Sequence, residues 1–177
     1  VAGMLSVHNV LGTWHKKVNK FIALTHFTKQ KFVEAGMDAD KIVVKPNFLK
    51  SDPGTGTELG DFMLFVGRLT PEKGIFTLLK AWQNLSGIPL KIVGDGPSMA
   101  EAQAFVDEHQ LHDVELMGRK KPEETLELMR DARCLVFPSE WYETFGRVAI
   151  EAFAAGTTVI AANIGAIAEV VDHEKTG

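Results

Sequence analysis

One cysteine in 177 residues, Cys134, is too few for any internal disulfide framework and fits a reducing compartment. A basic surplus is also lacking: 19 Lys and Arg face 23 Asp and Glu, a formal charge of −4. That argues against a nucleic-acid binder held by phosphate contacts. No apolar run approaches the roughly 18 residues of a membrane span. The opening Val1-Ala-Gly-Met-Leu-Ser-Val7 has neither the basic lead nor the length of a secretory signal. Hydrophobic residues at 45% and charged residues at 24% exclude a disordered or collagen-like chain. What remains reads as a soluble, cytoplasmic α/β chain, long enough to bury a core without staples. At about 150 residues per domain it holds one domain and a remnant, or two small ones.

The chain opens without Met inside the apolar segment Val1 to Val7, read as a strand. It closes on the turn-like Asp172-His173-Glu174-Lys175-Thr176-Gly177. Both ends read as cuts through a larger protein.

The apolar pattern gives the organisation. Lys20 to Thr25 reads as a short strand, 28–35 as a helix stopped by Gly36, and Ile42 to Lys45 as a β-branched strand ended by Pro46. The segment 51–60 is rich in Gly, Pro, Ser and Thr and is taken as a linker between a first part, 1–50, and a domain at 61–177. Beyond it, strands at Phe62–Val66, Leu90–Val93, Val114–Met117, Cys134–Phe137 and Thr158–Ala161 alternate with helices near 72–85, 98–109, 122–132, 146–155 and 167–171. Short apolar strands spaced by helices predict a doubly wound parallel sheet, Rossmann-like, covered on both faces. Ligands of such sheets sit beyond the carboxyl ends of the strands. Those ends carry Gly67-Arg68, Gly94-Asp95-Gly96-Pro97, Gly118-Arg119 and the stretch Pro138 to Gly146. Glycines there allow close backbone approach, and helix N-termini attract anions, so the expected ligand bears phosphate.

The segment Glu143-Thr-Phe-Gly146-Arg-Val-Ala-Ile-Glu151 resembles the Glu-x7-Glu signature of retaining glycosyltransferases with a GT-B fold, family 4 in particular. Gly67-Arg68-Leu-Thr-Pro-Glu-Lys73-Gly74 is similar to that family's diphosphate loop, and Val93 to Pro97 to its next glycine turn. Val44-Lys-Pro-Asn47 resembles its interdomain crossover, and Ile164 to Glu169 its Gly-Gly-x-x-Glu turn with Ala166 for the second Gly. The resemblance implies the C-terminal, donor-binding domain of a GT-B fold preceded by a remnant of the N-terminal domain. It further implies a nucleotide-diphosphate sugar donor, UDP- or GDP-linked, and a saccharide or lipid-linked acceptor of cell-envelope or exopolysaccharide synthesis. Peripheral contact with the inner face of the membrane would then come through the part outside this chain.

The residues support the same chemistry on their own. Glu151 lies five residues past Gly146, roughly 7.5 Å along a helix axis, about the span from a diphosphate to its ribose. A carboxylate there accepts from two vicinal hydroxyls. Glu143, nearer the phosphates, would face the transferred sugar, with Thr144 expected as the helix N-cap. Phe145 and Gly146 would offer amides to the diphosphate. Arg68 and Lys73 follow the domain's first strand and would stabilise the charge gathering on a departing diphosphate. With two cations there, no metal or other cofactor is expected. Gly67, Gly94 and Gly96 line the same end, and Met117, with Leu116 and Gly118, would seat the base as the family does. The resemblance adds His8, in His8-Asn9, as a histidine presented to the donor sugar, making Glu143, Arg68, Lys73 and His8 the catalytic candidates.

Other patterns have plain readings. Asp38-Ala39-Asp40 is a metal motif in form but sits in a turn. His109 and His112 lack a third ligand, and Cys134 lies in a buried-strand pattern. Gly94-Asp95-Gly96 lacks the third glycine of a dinucleotide fingerprint, and no P-loop occurs. Thr144 and Arg147 depart from the family's usual glycine and aliphatic residue. Two rival readings keep the nucleotide site: an epimerase of UDP-N-acetylhexosamine with the GT-B fold, and a non-catalytic binding module.

Overall fold

Seven short strands carry the hydrophobic runs of the sequence in the computed structural model, which describes residues 2–57 and 60–177. The chain divides into two units, Val1–Asn47 and Phe48–Gly177.

The first unit opens on helices α1 (Ala2–Val10) and α2 (Thr13–Lys17), followed by β1 (Phe21–Ala23), α3 (His26–Glu34), a 3-10 turn (Ala39–Lys41) and β2 (Ile42–Val44). β1 and β2 pair in parallel, Phe21 against Ile42. The strand expected over Val1 to Val7 is therefore a helix. A seven-residue apolar run has no period that separates the two; Val1 itself lies outside the described residues. Thr25 caps α3, its hydroxyl accepting from the Thr28 amide at 3.1 Å. Asp38 accepts from the Asp40 amide at 2.9 Å and opens the 3-10 turn, the local role expected of that acidic pair.

In the second unit β3 (Met63–Val66), β4 (Leu90–Val93), β5 (Val114–Gly118), β6 (Cys134–Phe137) and β7 (Thr158–Ala161) form one parallel sheet in the order β5-β4-β3-β6-β7. Helices α4 (Ile75–Trp82), α5 (Met99–Glu108), α6 (Pro122–Asp131), α7 (Arg147–Ala154) and α8 (Ile167–Val170) lie between and after the strands. Alternation along β3 serves two cores. Leu64 joins Leu135, Met129, Ala149 and Ala152 beneath α6 and α7. Phe65 joins Ile75, Leu79, Ile92 and Ala102 beneath α4 and α5. Each fully buried aliphatic side chain contributes about 1.5–3 kcal/mol. Alanines 149 and 152 let α7 lie close on the sheet.

The strand order locates the switch point. Chain order runs from β3 outward to β5, then returns across to β6 on β3's other side. Met63 and Leu64 pair with Cys134 and Leu135, so the loops leaving β3 and β6 start side by side, where a doubly wound sheet opens its ligand crevice.

The segment taken as a linker is held against the second unit. Arg130 donates to the Pro53 carbonyl at 2.8 Å, and the Gly56 amide to Ala155 at 3.2 Å. The division between units falls ahead of it, after Asn47; Glu58 and Leu59 lie outside the described residues. The helix expected over 72–85 is shorter at both ends: a separate 3-10 turn, Pro71–Lys73, ended by Gly74, precedes it, and residues 83–84 are a turn after it. No helix among the described residues is long and apolar enough to cross a membrane.

Candidate functional site

Lys73 ends the 3-10 turn after β3, and Glu143 sits in the loop after β6. Seventy residues apart in sequence, they meet at the switch point: Lys73 Nζ donates to Glu143 Oε1 at 2.5 Å. The Glu143 side chain is only 9% exposed and that of Lys73 24%. Ser139, itself buried, donates to the same oxygen at 2.7 Å. Lys73 also lies 5.4 Å from the ring centre of Trp141, close enough for cation–π attraction. Burial pushes the Glu143 carboxyl up. Hydrogen bonds from Lys73, Trp141 and Ser139, with the lysine's charge, outweigh that and hold it below its ordinary value.

The two loops are fastened to each other. The Glu140 amide donates to the Glu72 carbonyl at 2.9 Å, and the Thr77 hydroxyl donates to the Glu140 carboxylate. Gly74 packs on the Pro138 carbonyl so tightly that a Cβ there would overlap it.

Both helices that begin here open on glycine in the left-handed region: Gly74 at φ 74° before α4, Gly146 at φ 94° before α7. Among the described residues no side chain caps either helix, and neither has an acidic residue in its first turn. Thr144 is thus not the N-cap. The turn needs a positive φ at 146, which threonine two residues earlier cannot supply. Two helix N-termini, with their partial positive charge, thus begin from the adjoining loops that carry Lys73 and Glu143.

The remaining expected residues lie as follows. Arg68 is exposed on the loop leaving β3. Gly94 and Gly96 pack on the Gly67 and Leu69 carbonyls, where a Cβ would overlap either; the protein's own backbone already requires their smallness. Phe145 is buried and anchors the loop beside Glu143. Met117, half-buried near the end of β5, packs partly against the α6–α7 core. Glu151 lies on α7 and accepts from Arg147 Nη2 at 3.1 Å, side chains 26% and 65% exposed. Both line a cavity of about 440 Å³ with Lys50, Lys120 and Pro122. His8 belongs to the first unit, inside α1 rather than after a strand. Its Nδ1 is 3.2 Å from the Thr13 hydroxyl and its ring tilts on Trp14 at 5.8 Å; the Asn9 side chain lies outside the described set.

Ser139 and Trp141, which contact Glu143 and Lys73, are not among the site residues expected from the sequence. Their signal was position: four and two residues before Glu143, in the same loop. His109 is accounted for locally, its Nδ1 2.9 Å from the Phe105 carbonyl and its ring stacked on Phe105. Cys134 is buried in β6.

Residues 55–177 match the protein family described as glycosyl transferases group 1. An uncharacterized glycosyltransferase of Methanocaldococcus jannaschii is 38% identical over 111 residues, covering 63% of this chain and 31% of the relative. Phosphatidyl-myo-inositol mannosyltransferase of Mycobacterium leprae is 32% identical over 181 residues, covering 95% of this chain and 47% of the relative. The crystal structure of Anabaena HepE in complex with UDP-glucose superposes with a TM-score of 0.76 at 25% identity, covering 88% of this chain and 48% of that one. The chain thus spans between about a third and a half of the length of these relatives.

Proposed function

The chain belongs to the glycosyl transferases group 1 family, and from that premise we propose that it is the donor-binding part of a retaining, metal-independent glycosyltransferase of family 4. In this reading it takes a UDP- or GDP-linked sugar and passes it to a saccharide or lipid-linked acceptor in cell-envelope polysaccharide or glycolipid synthesis. The observation that carries the reading is the Lys73–Glu143 pair at the switch point, beside two glycine-capped helix N-termini. The solved relative binds UDP-glucose and one curated relative is a mannosyltransferase acting on a lipid, which supports a nucleotide-sugar donor and a lipid-linked acceptor.

The chemistry follows from charge. When the bond from sugar to diphosphate breaks, negative charge gathers on the leaving phosphate oxygens and positive charge on the sugar ring. Lys73, Arg68 and the first amides of α4 and α7 stabilise the former more in the transition state than in the ground state. One such preorganised donor is worth on the order of 3 kcal/mol. Glu143, held ionised by its partners, faces the sugar, and its carboxylate favours the developing positive charge. Glu151, a helix turn and more from Gly146, accepts from the ribose hydroxyls.

Thermal melting with millimolar UDP and GDP tests this. One of the two raises Tm by on the order of 5–10 °C at a hundredfold excess over Kd, and Lys73→Ala abolishes the rise. Melting unmoved by either nucleotide overturns the proposal.

A further inference from the structure

Glu143 and a diphosphate are both anions, and the fold offers them the same ammonium. Lys73 Nζ is committed to Glu143 Oε1 at 2.5 Å, and the carboxylate is almost wholly buried. Its other donors, the hydroxyl of Ser139 and the side chain of Trp141, belong to its own loop and stay with it. A diphosphate entering the crevice draws on Lys73. Glu143 then needs a replacement donor, because a buried carboxylate deprived of its cation bears a desolvation cost that its neutral donors offset only in part.

From this we infer that the Lys73–Glu143 pair makes the site discriminate a sugar-bearing nucleotide from the bare nucleoside diphosphate. The inference rests on the reading of the crevice as a donor site. A hexose attached to the β-phosphate carries hydroxyls, and these donate to Glu143 where Lys73 withdraws. The bare diphosphate brings only acceptors to that end. Its ribose hydroxyls lie toward Glu151, roughly 7.5 Å farther along α7. Glu143 therefore penalises the product of transfer and spares the substrate, which promotes release of the spent nucleotide once the sugar has left. Ser139 moderates the penalty by holding one oxygen throughout.

Titration calorimetry on the whole chain, with UDP, GDP, UDP-glucose and GDP-mannose as probes, tests the inference through binding alone. Glu143→Gln keeps the shape and removes the charge, so Lys73 is released to the phosphates. It tightens whichever bare diphosphate binds the wild type by on the order of tenfold, while the matching sugar nucleotide changes by less than about threefold. Ser139→Ala has the opposite sign: the carboxylate depends more on Lys73, and the bare diphosphate weakens more than its sugar form. Should circular dichroism show Glu143→Gln unfolded, Ser139→Ala carries the test with the same readout. An unchanged ratio of the two affinities in the folded variant overturns the inference while leaving the donor site standing. Failure of the wild type to bind any of the four probes overturns both.

Discussion

Helices α6 and α7 lie on the same face of the sheet, yet they begin in opposite ways. At α6 the Lys121 amide donates to the Glu124 carboxylate at 2.9 Å, Pro122 fills the first position, and Glu123 and Glu124 supply negative charge in the first turn. Its N-terminus is satisfied from within. α7 opens on Gly146 with no capping side chain among the described residues and no acidic residue in its first turn. α4 repeats that arrangement at Gly74. Local sequence thus satisfies the start of α6, while α4 and α7 begin with neither a capping side chain nor an acidic first turn, which the donor-site reading proposed above assigns to an anion. On that reading the contrast separates a structural helix start from one that serves a ligand, though the two are similar in length.

The largest effect that probes this contrast is expected at Gly146. Alanine there must hold a left-handed backbone, and its Cβ would come within 2.6 Å of Ile167 Cδ1. Gly146→Ala should cost about 2 kcal/mol and lower Tm by roughly 4–8 °C, with nucleotide stabilisation lost alongside. A variant that melts like the wild type would break the assignment of a cap that requires glycine. At the other helix, Glu124→Ala should cost about 0.5–1 kcal/mol and leave the nucleotide-induced rise in Tm intact. A fall in that rise would mean that α6 is part of the site after all.

Acid titration sharpens the same division. The Glu143 carboxyl sits below its ordinary value in the folded protein, so the unfolded chain binds more protons there. The stabilisation is complete above about pH 4.5 and is lost as pH falls through the lowered folded-state value. Wild-type Tm should therefore drop more steeply below pH 4.5 than that of Glu143→Gln; parallel profiles would show that the carboxylate is not held by its partners. The smallest change is expected at Arg147, whose exposed i, i+4 pair with Glu151 is worth under about 0.5 kcal/mol. Arg147→Ala should melt within a degree or two of the wild type.

How much of this was legible beforehand varied with the physics involved. The five strands of the second unit were readable to within a residue, because strands buried on both faces are continuous apolar runs bounded by loops. The placement of Lys73 and Glu143 at strand ends followed from the same alternation. Their meeting did not follow from the alternation, since it depends on β6 lying beside β3 rather than beyond β5; it was expected only through the resemblance, which gathers both residues around one diphosphate. Thr144 was a reasonable cap by residue type; the decisive feature was a backbone angle at Gly146. In the first unit, Val1 to Val7 was too short to show whether its period is 2 or 3.6. The Arg147–Glu151 pair, by contrast, is a spacing that any helix enforces.

The lock between Gly74 and the Pro138 carbonyl reaches beyond this chain. With the Glu140–Glu72 and Thr77–Glu140 bonds it welds two stretches distant in sequence into a single wall. If these loops hold a sugar donor as proposed, grafting a relative's donor preference would require transplanting 67–77 and 138–146 as one piece. Exchanging either alone would seat new residues against a partner shaped for the old ones.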